Sequence, residues 1–86
     1  MNLTPNYQAL AYEVLARSKA ALTAGDPHEW RFYSSGHYQL FTAILEIDDS
    51  VFRKEIADIA LPRADKLKVR VSEIILFKGE LNVKRK

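Results

Sequence analysis

Residues 30 to 42 read Trp30-Arg31-Phe32-Tyr33-Ser34-Ser35-Gly36-His37-Tyr38-Gln39-Leu40-Phe41-Thr42, and the fold turns on how this stretch is assigned. Two runs rich in aromatic side chains flank Ser34-Ser35-Gly36-His37, with Gly36 free to take a positive φ. That pattern predicts a β-hairpin. The rival is a helix through 37 to 47, with Leu40, Phe41, Ile44 and Leu45 as its apolar stripe. Just upstream, Asp26-Pro27-His28-Glu29 is open in the same way. It reads as a helix start capped by Asp26, with Glu29 completing a capping box, or as a turn with Asp first and Pro second. The hairpin assignment goes with the turn.

On the N-terminal side the pattern is helical. Thr4-Pro5 can start a helix, with a hydroxyl acceptor followed by a residue that needs no amide partner. Tyr7, Leu10, Ala11, Val14, Ser18, Ala21 and Leu22 then recur at three- and four-residue spacing, Glu13 and Arg17 form an i,i+4 pair, and Gly25 supplies a left-handed stop. The spacing predicts a helix over 5 to 24.

On the C-terminal side, Asp48-Asp49-Ser50 offers capping groups, and Phe52, Ile56, Ile59 and Ala60 repeat at helical spacing up to Leu61-Pro62. A helix over 50 to 60 is expected. Beyond Pro62 the period changes to two: Leu67, Val69 and Val71 alternate with Lys66, Lys68, Arg70 and Ser72. With Lys78-Gly79 as a turn, residues 66 to 77 and 80 to 85 are expected to pair as a second hairpin. Glu73 would point inward on that strand, so a β-bulge near Ser72-Glu73 is expected to turn it out.

These elements sum to an α+β fold: two helices packed on an antiparallel sheet, in the order helix, hairpin, helix, hairpin. The alternative is three helices followed by a C-terminal β-hairpin, a winged-helix-like arrangement. At 86 residues the chain has room for one core, so a single domain over 1 to 86 is expected. A composition of 48% hydrophobic and 28% charged residues is that of a globular domain rather than a disordered one. With no cysteine there is no disulfide framework or thiolate metal site. No signal peptide pattern and no membrane span is read, so the expected location is cytoplasmic.

The charge is lopsided. Residues 1 to 61 carry Arg17, Lys19, Arg31, Arg53 and Lys54 against eight acids and are net −3, whereas residues 62 to 86 carry eight cations against three acids and are net +5. On a strand, Lys66, Lys68 and Arg70 would stand in a row about 6.5–7 Å apart, the scale of successive phosphates. Lys84, Arg85 and Lys86 would add to the patch from the neighbouring strand. This hairpin is the expected contact with DNA or RNA backbone, and the chain reads first as a small non-enzymatic binding module.

A second reading is a protein-binding inhibitor or adaptor. Ile74, Ile75, Leu76 and Phe77 are apolar on both strand faces, so the strand is central in the sheet or one of its faces is covered by a partner protein or a second copy of the chain. The aromatic segment 30 to 41 is the other candidate surface. Trp30, Phe32, Tyr33, Tyr38, Phe41 and Phe77 are also candidate base-stacking rings, with the core as their competing use. Helices at 37 to 47 and 50 to 60 would form a helix-turn-helix, but its outward Arg53, Lys54, Glu55 and Asp58 carry no net charge.

No catalytic or metal site is read. His28 and His37 have no metal-ligand spacing. Ser34 and Ser35 neighbour His37 as turn residues, without an orienting third group, and Gly25, Gly36 and Gly79 form no phosphate loop.

Overall fold

A computed structural model describes residues 6–79. These form helices α1 (Tyr7–Thr23), α2 (Pro27–Ser34), α3 (Tyr38–Leu45) and α4 (Asp49–Ala60), a 3₁₀ turn (Leu61–Arg63), a single-turn α5 (Ala64–Leu67) and α6 (Val71–Lys78). Among the described residues there is no strand. The expected α+β sheet is therefore overturned by an all-helical fold, and so is the winged alternative to the extent that its wing would run through 66 to 77. The second strand expected over 80 to 85 lies outside the described residues.

The first hairpin fails because each of its runs is a capped helix. The Asp26 carboxylate accepts from the His28 amide at 3.0 Å, and Pro27 starts α2. Of the two readings of this segment, the helix start is the one adopted. The capping box is not formed, since Glu29 accepts from Ser18 Oγ on α1 instead. Gly36, at φ +89°, joins α2 to α3 rather than two strands. The aromatic preference for strands is weak and yields to packing, because Trp30 and Tyr33 on α2 and Tyr38 on α3 are all buried in one core.

Helix α1 follows the expected span closely. Its cap is Asn6, whose side chain accepts from the Ala9 amide at 3.0 Å, while the cap expected at Thr4 lies outside the described residues. At its far end Asp26 N–H reaches Ala21 O and Gly25 N–H reaches Leu22 O, the paired bonds of a Schellman stop. Helix α4 begins where Asp48 accepts from the amides of Ser50 and Val51. Those bonds, with one from the Ser50 hydroxyl that contributes most, hold the Asp48 carboxyl below its ordinary pKa.

Pro62 does not end the helical path, since it falls in the first turn of the 3₁₀ segment, where a missing amide costs nothing. The period-two alternation that follows is not carried by a strand. Leu67 is buried at the end of α5, Lys68 adopts a left-handed φ of 59° that stops that helix, and Val71 is half exposed at the start of α6. Glu73 needs no bulge: it is exposed in the first turn of α6, where a carboxylate suits the positive end of the helix dipole.

The core is one cluster built on aromatics. Tyr33, Tyr38, Phe52 and Trp30 pack with Leu15, Leu22, Ile56, Leu67 and Ile74, and Ala57, Ala60 and Ala64 let the backbones approach closely. Tyr38 stacks on Phe52 with ring centroids 5.4 Å apart and an interplanar angle of 19°. Phe77 on α6 meets Trp30 edge-on at 5.2 Å and Tyr38 at 5.7 Å, each such pair contributing about 0.5–1.5 kcal/mol beyond its buried area. No helix among the described residues is long and apolar enough to cross a membrane.

Candidate functional site

The fold leaves a cleft of about 480 Å³ between the α2–α3 connection and α6, a volume in the range of ligand sites. One wall is Trp30, Tyr33 and Tyr38 with the turn Ser34-Ser35-Gly36 and Gln39; the other is Glu73, Leu76 and Phe77, and Arg53 of α4 closes the end. Glu73, Leu76 and Phe77 are three and four residues apart, so one side of α6 presents all three. The two segments singled out from the sequence as protein-binding surfaces, 30 to 41 and 74 to 77, thus meet in a single concavity.

Arg53 organises that end. Its Nε donates to Tyr38 Oη at 2.9 Å and lies 2.9 Å from Asp49 Oδ2, its Nη1 donates to the Phe77 carbonyl at 3.1 Å, and its guanidinium sits 5.2 Å from the centre of the Phe77 ring. Tyr38 in turn donates to Asp49 Oδ1 at 2.6 Å. Burial raises the Tyr38 pKa, and the Asp49 carboxylate that accepts its proton raises it further. Burial alone would lower the Arg53 pKa, but its bonds to Tyr38 and Asp49 outweigh that, so it stays charged.

The cleft therefore has one compensated charge and one uncompensated. Arg53 is matched by Asp49, whereas Glu73 makes no ion pair among the described residues. Leu76, 55% exposed, gives the rim an apolar contact beside that carboxylate. The surplus is one negative charge at the rim of the cleft, a setting that favours an ammonium or guanidinium group.

The residues expected to form an apolar strand are split by α6. Ile74 is fully buried against the core, Ile75 is half-buried, Leu76 is exposed, and Phe77 is half-buried between the core and the cleft. Ile74 is therefore a core residue, and Leu76 and Phe77 are the two that reach the concavity.

The expected basic row is likewise rearranged. Lys66, Lys68 and Arg70 do not alternate along a strand but surround the end of α5 and the start of α6, all exposed. Lys84, Arg85 and Lys86 lie outside the described residues. Arg63 is bound internally, donating to Thr23 O at 2.6 Å and Ile59 O at 2.8 Å, so it caps the carboxyl ends of α1 and α4. Of the four residues that the helix-turn-helix reading turns outward, Arg53 is held as above, Glu55 accepts from Lys19 at 2.7 Å and Asp58 lies 4.0 Å from Lys78, while Lys54 is exposed and makes no ion pair among the described residues.

Of the candidate stacking rings, Trp30, Tyr33 and Tyr38 are buried and Phe32, Phe41 and Phe77 pack partly against the core. Ser35 Oγ lies 2.6 Å from His37 Nδ1, and its oxygen also receives the His37 amide, so the contact is a local turn bond. His28 lies in the first turn of α2, with Nδ1 3.5 Å from Asp26 Oδ1.

Glu73 stands out in the sequence only as a carboxylate within an apolar run and Arg53 only as an outward helix residue; neither pattern places them in one cleft, because the cleft draws on three segments far apart in the chain. No family model, curated protein or solved structure matches the chain.

Proposed function

We propose that the protein is a small non-enzymatic adaptor that takes an extended or helical segment of a partner protein, carrying a lysine or arginine beside an apolar residue, into the cleft between the α2–α3 turn and α6. The observation that carries this reading is the meeting of Trp30, Leu76 and Phe77 with an unpaired carboxylate, Glu73, in a concavity of about 480 Å³. A cationic side chain would neutralise Glu73 while its neighbour packs on Leu76 and the edge of Trp30.

The test is selection of a random-peptide library on the full chain, followed by titration of the enriched peptides with fluorescence detection. Trp30 is the sole tryptophan and lies in the cleft, so its emission reports occupancy. The reading expects enriched peptides to share a Lys or Arg next to an apolar residue and to bind about tenfold more weakly to Glu73→Lys, a change near 1.4 kcal/mol. Leu76→Asp should weaken them too, and both exposed changes should leave the circular dichroism helical. No enrichment, or peptides indifferent to both substitutions, would overturn it.

A second reading keeps contact with nucleic-acid backbone, and one observation favours it. Arg17, Lys19, Arg53 and Lys78 face carboxylates and Arg63 faces carbonyls; of the described cations that make no ion pair, Arg31 and Lys54 stand apart in the chain, while Lys66, Lys68 and Arg70 fall within five residues. Three phosphate contacts there would make affinity for a DNA or RNA oligonucleotide fall steeply between about 50 and 200 mM salt. Fluorescence anisotropy should show that fall, and Lys66→Glu with Lys68→Glu and Arg70→Glu should abolish binding. Binding that resists salt, or survives the triple change, contradicts this reading.

A further inference from the structure

Helix α1 has two apolar faces, and the fold uses one. Ala11, Leu15, Ser18 and Leu22 are buried against the core, while Tyr7, Leu10 and Val14 stand outward at 59%, 53% and 37% exposure. The outward stripe continues to Arg17, whose guanidinium bonds Glu13 at 2.7 Å, and Leu10, Glu13, Val14 and Arg17 line a shallow concavity of about 210 Å³. An aligned apolar stripe exposed on a helix that already has its core contacts offers a surface on which another helix can pack.

The order of side chains along the stripe identifies that helix. Positions 7, 10, 14 and 17 have spacings of three, four and three, which read the same in either direction. Laid antiparallel on a copy of itself, the stripe sets Leu10 against the partner's Val14 and Arg17 against the partner's Tyr7. Each aromatic ring thereby meets a cation, and each apolar side chain meets another. Such self-complementarity is what a two-fold interface requires, because every contact must occur twice. A stripe with aromatic and cation at opposite ends has no comparable match when two copies lie parallel, since ring would meet ring and guanidinium would meet guanidinium.

We propose that Tyr7, Leu10, Val14 and Arg17 form the interface of an antiparallel homodimer through α1, independent of the cleft. The stripe is about 15 Å long at 1.5 Å per residue, so the interface is small and the dimer dissociates on dilution.

Sedimentation velocity on the full chain tests it. The mass should approach twice 9.9 kDa at high micromolar concentration and fall to the monomer on dilution. Leu10→Glu and Val14→Glu, both at exposed positions, should each leave a monomer across the same range with unchanged circular dichroism. Tyr7→Phe, which keeps the ring, should leave the dimer intact, and Arg17→Glu should weaken it at least several-fold. Orientation is read with a spin label on Ala20→Cys, in a chain that has no other cysteine. The antiparallel pairing separates the two label sites by about 24 Å along the axis, and a parallel one sets them side by side. A monomer at every concentration, a dimer indifferent to Leu10→Glu, or closely spaced labels would each overturn the proposal.

Discussion

Ser18 Oγ on α1 and Tyr33 Oη on α2 lie 2.6 Å apart inside the core, and the same serine oxygen donates to Glu29 Oε2 at 2.6 Å. A hydroxyl has one proton, so with Ser18 donating to the carboxylate, Tyr33 must donate to Ser18. The chain Tyr33, Ser18, Glu29 thus joins the first two helices through a polar path with a fixed direction, buried at Tyr33 and Ser18 and part-buried at Glu29. Removing its end group in Tyr33→Phe should cost about 1–2 kcal/mol, read as a lower urea midpoint with an unchanged slope. An unchanged midpoint would mean that the path carries no net stability.

The same tyrosine sets an alkaline limit. Burial pushes the Tyr33 pKa up from 10.0 to about 12. The folded state therefore holds its proton more tightly than the unfolded state. The resulting stability is fully present below pH 10 and is lost as pH rises through 12; two units correspond to about 2–3 kcal/mol. Unfolding followed from pH 9 to 12 should show this loss, and Tyr33→Phe should flatten the part of the curve that belongs to this group. An identical pH dependence in the variant would assign the loss to other groups.

Arg53 ties three helices, through Tyr38 on α3, its own Asp49 on α4 and the Phe77 carbonyl on α6. Arg53→Met keeps the stem but leaves Asp49 without its cation and the carbonyl without its donor. A loss of about 1.5–3 kcal/mol is expected, with α6 loosened first. Hydrogen exchange should then speed up in 74 to 79 more than in α1. Uniform acceleration would show that Arg53 does not hold α6.

Gly25 has φ +86°, and a Cβ there would lie 2.9 Å from Lys66 Cδ and 3.0 Å from Lys66 Cβ. Gly25→Ala should therefore cost about 1–2 kcal/mol from the backbone alone and more from the lysine stem. Lys66→Ala removes the Cδ contact but leaves the Cβ, so the double variant should recover part of the loss. A cycle that is additive within about 0.3–0.5 kcal/mol would show that the stem yields freely.

Lys68 holds a left-handed φ of 59° without the freedom of glycine, in the turn that ends α5. Lys68→Gly should raise stability by about 0.5–1 kcal/mol, the left-handed penalty less the added chain entropy. A decrease in thermal midpoint would mean that the lysine side chain contributes contacts that outweigh the strain.

Helices α1 and α4 were legible because their ends carry chemical signals: Gly25 stops one, and Asp48 starts the other before a long apolar period. The turn at Gly36 was legible as a turn, but not as one between helices, since aromatic runs as short as 30 to 33 fit either period. The C-terminal third misled for a different reason. Lys68 caps the end of α5 and Arg70, whose side chain makes no capping bond, stands before α6, so neither boundary carries its usual residue. What remained visible was the alternation of Leu67, Val69 and Val71, of which Leu67 and Val69 pack on the core and Val71 is exposed. The all-apolar run 74 to 77 is divided by the helix: Ile74 enters the core, and Leu76 and Phe77 line the cleft. The cleft itself needed residues from 30 to 39, Arg53 and 73 to 77 brought together, and no local pattern encodes that meeting.

The most direct test of the proposed role is chemical-shift mapping of the isotope-labelled full chain with a peptide enriched in the library selection. Shifts should concentrate at the Trp30 indole, the amides of Ser34 to Gly36, and those of Glu73 to Phe77, and Glu73→Lys should suppress them. Shifts confined to 66 to 70, or spread along α1, would contradict that role.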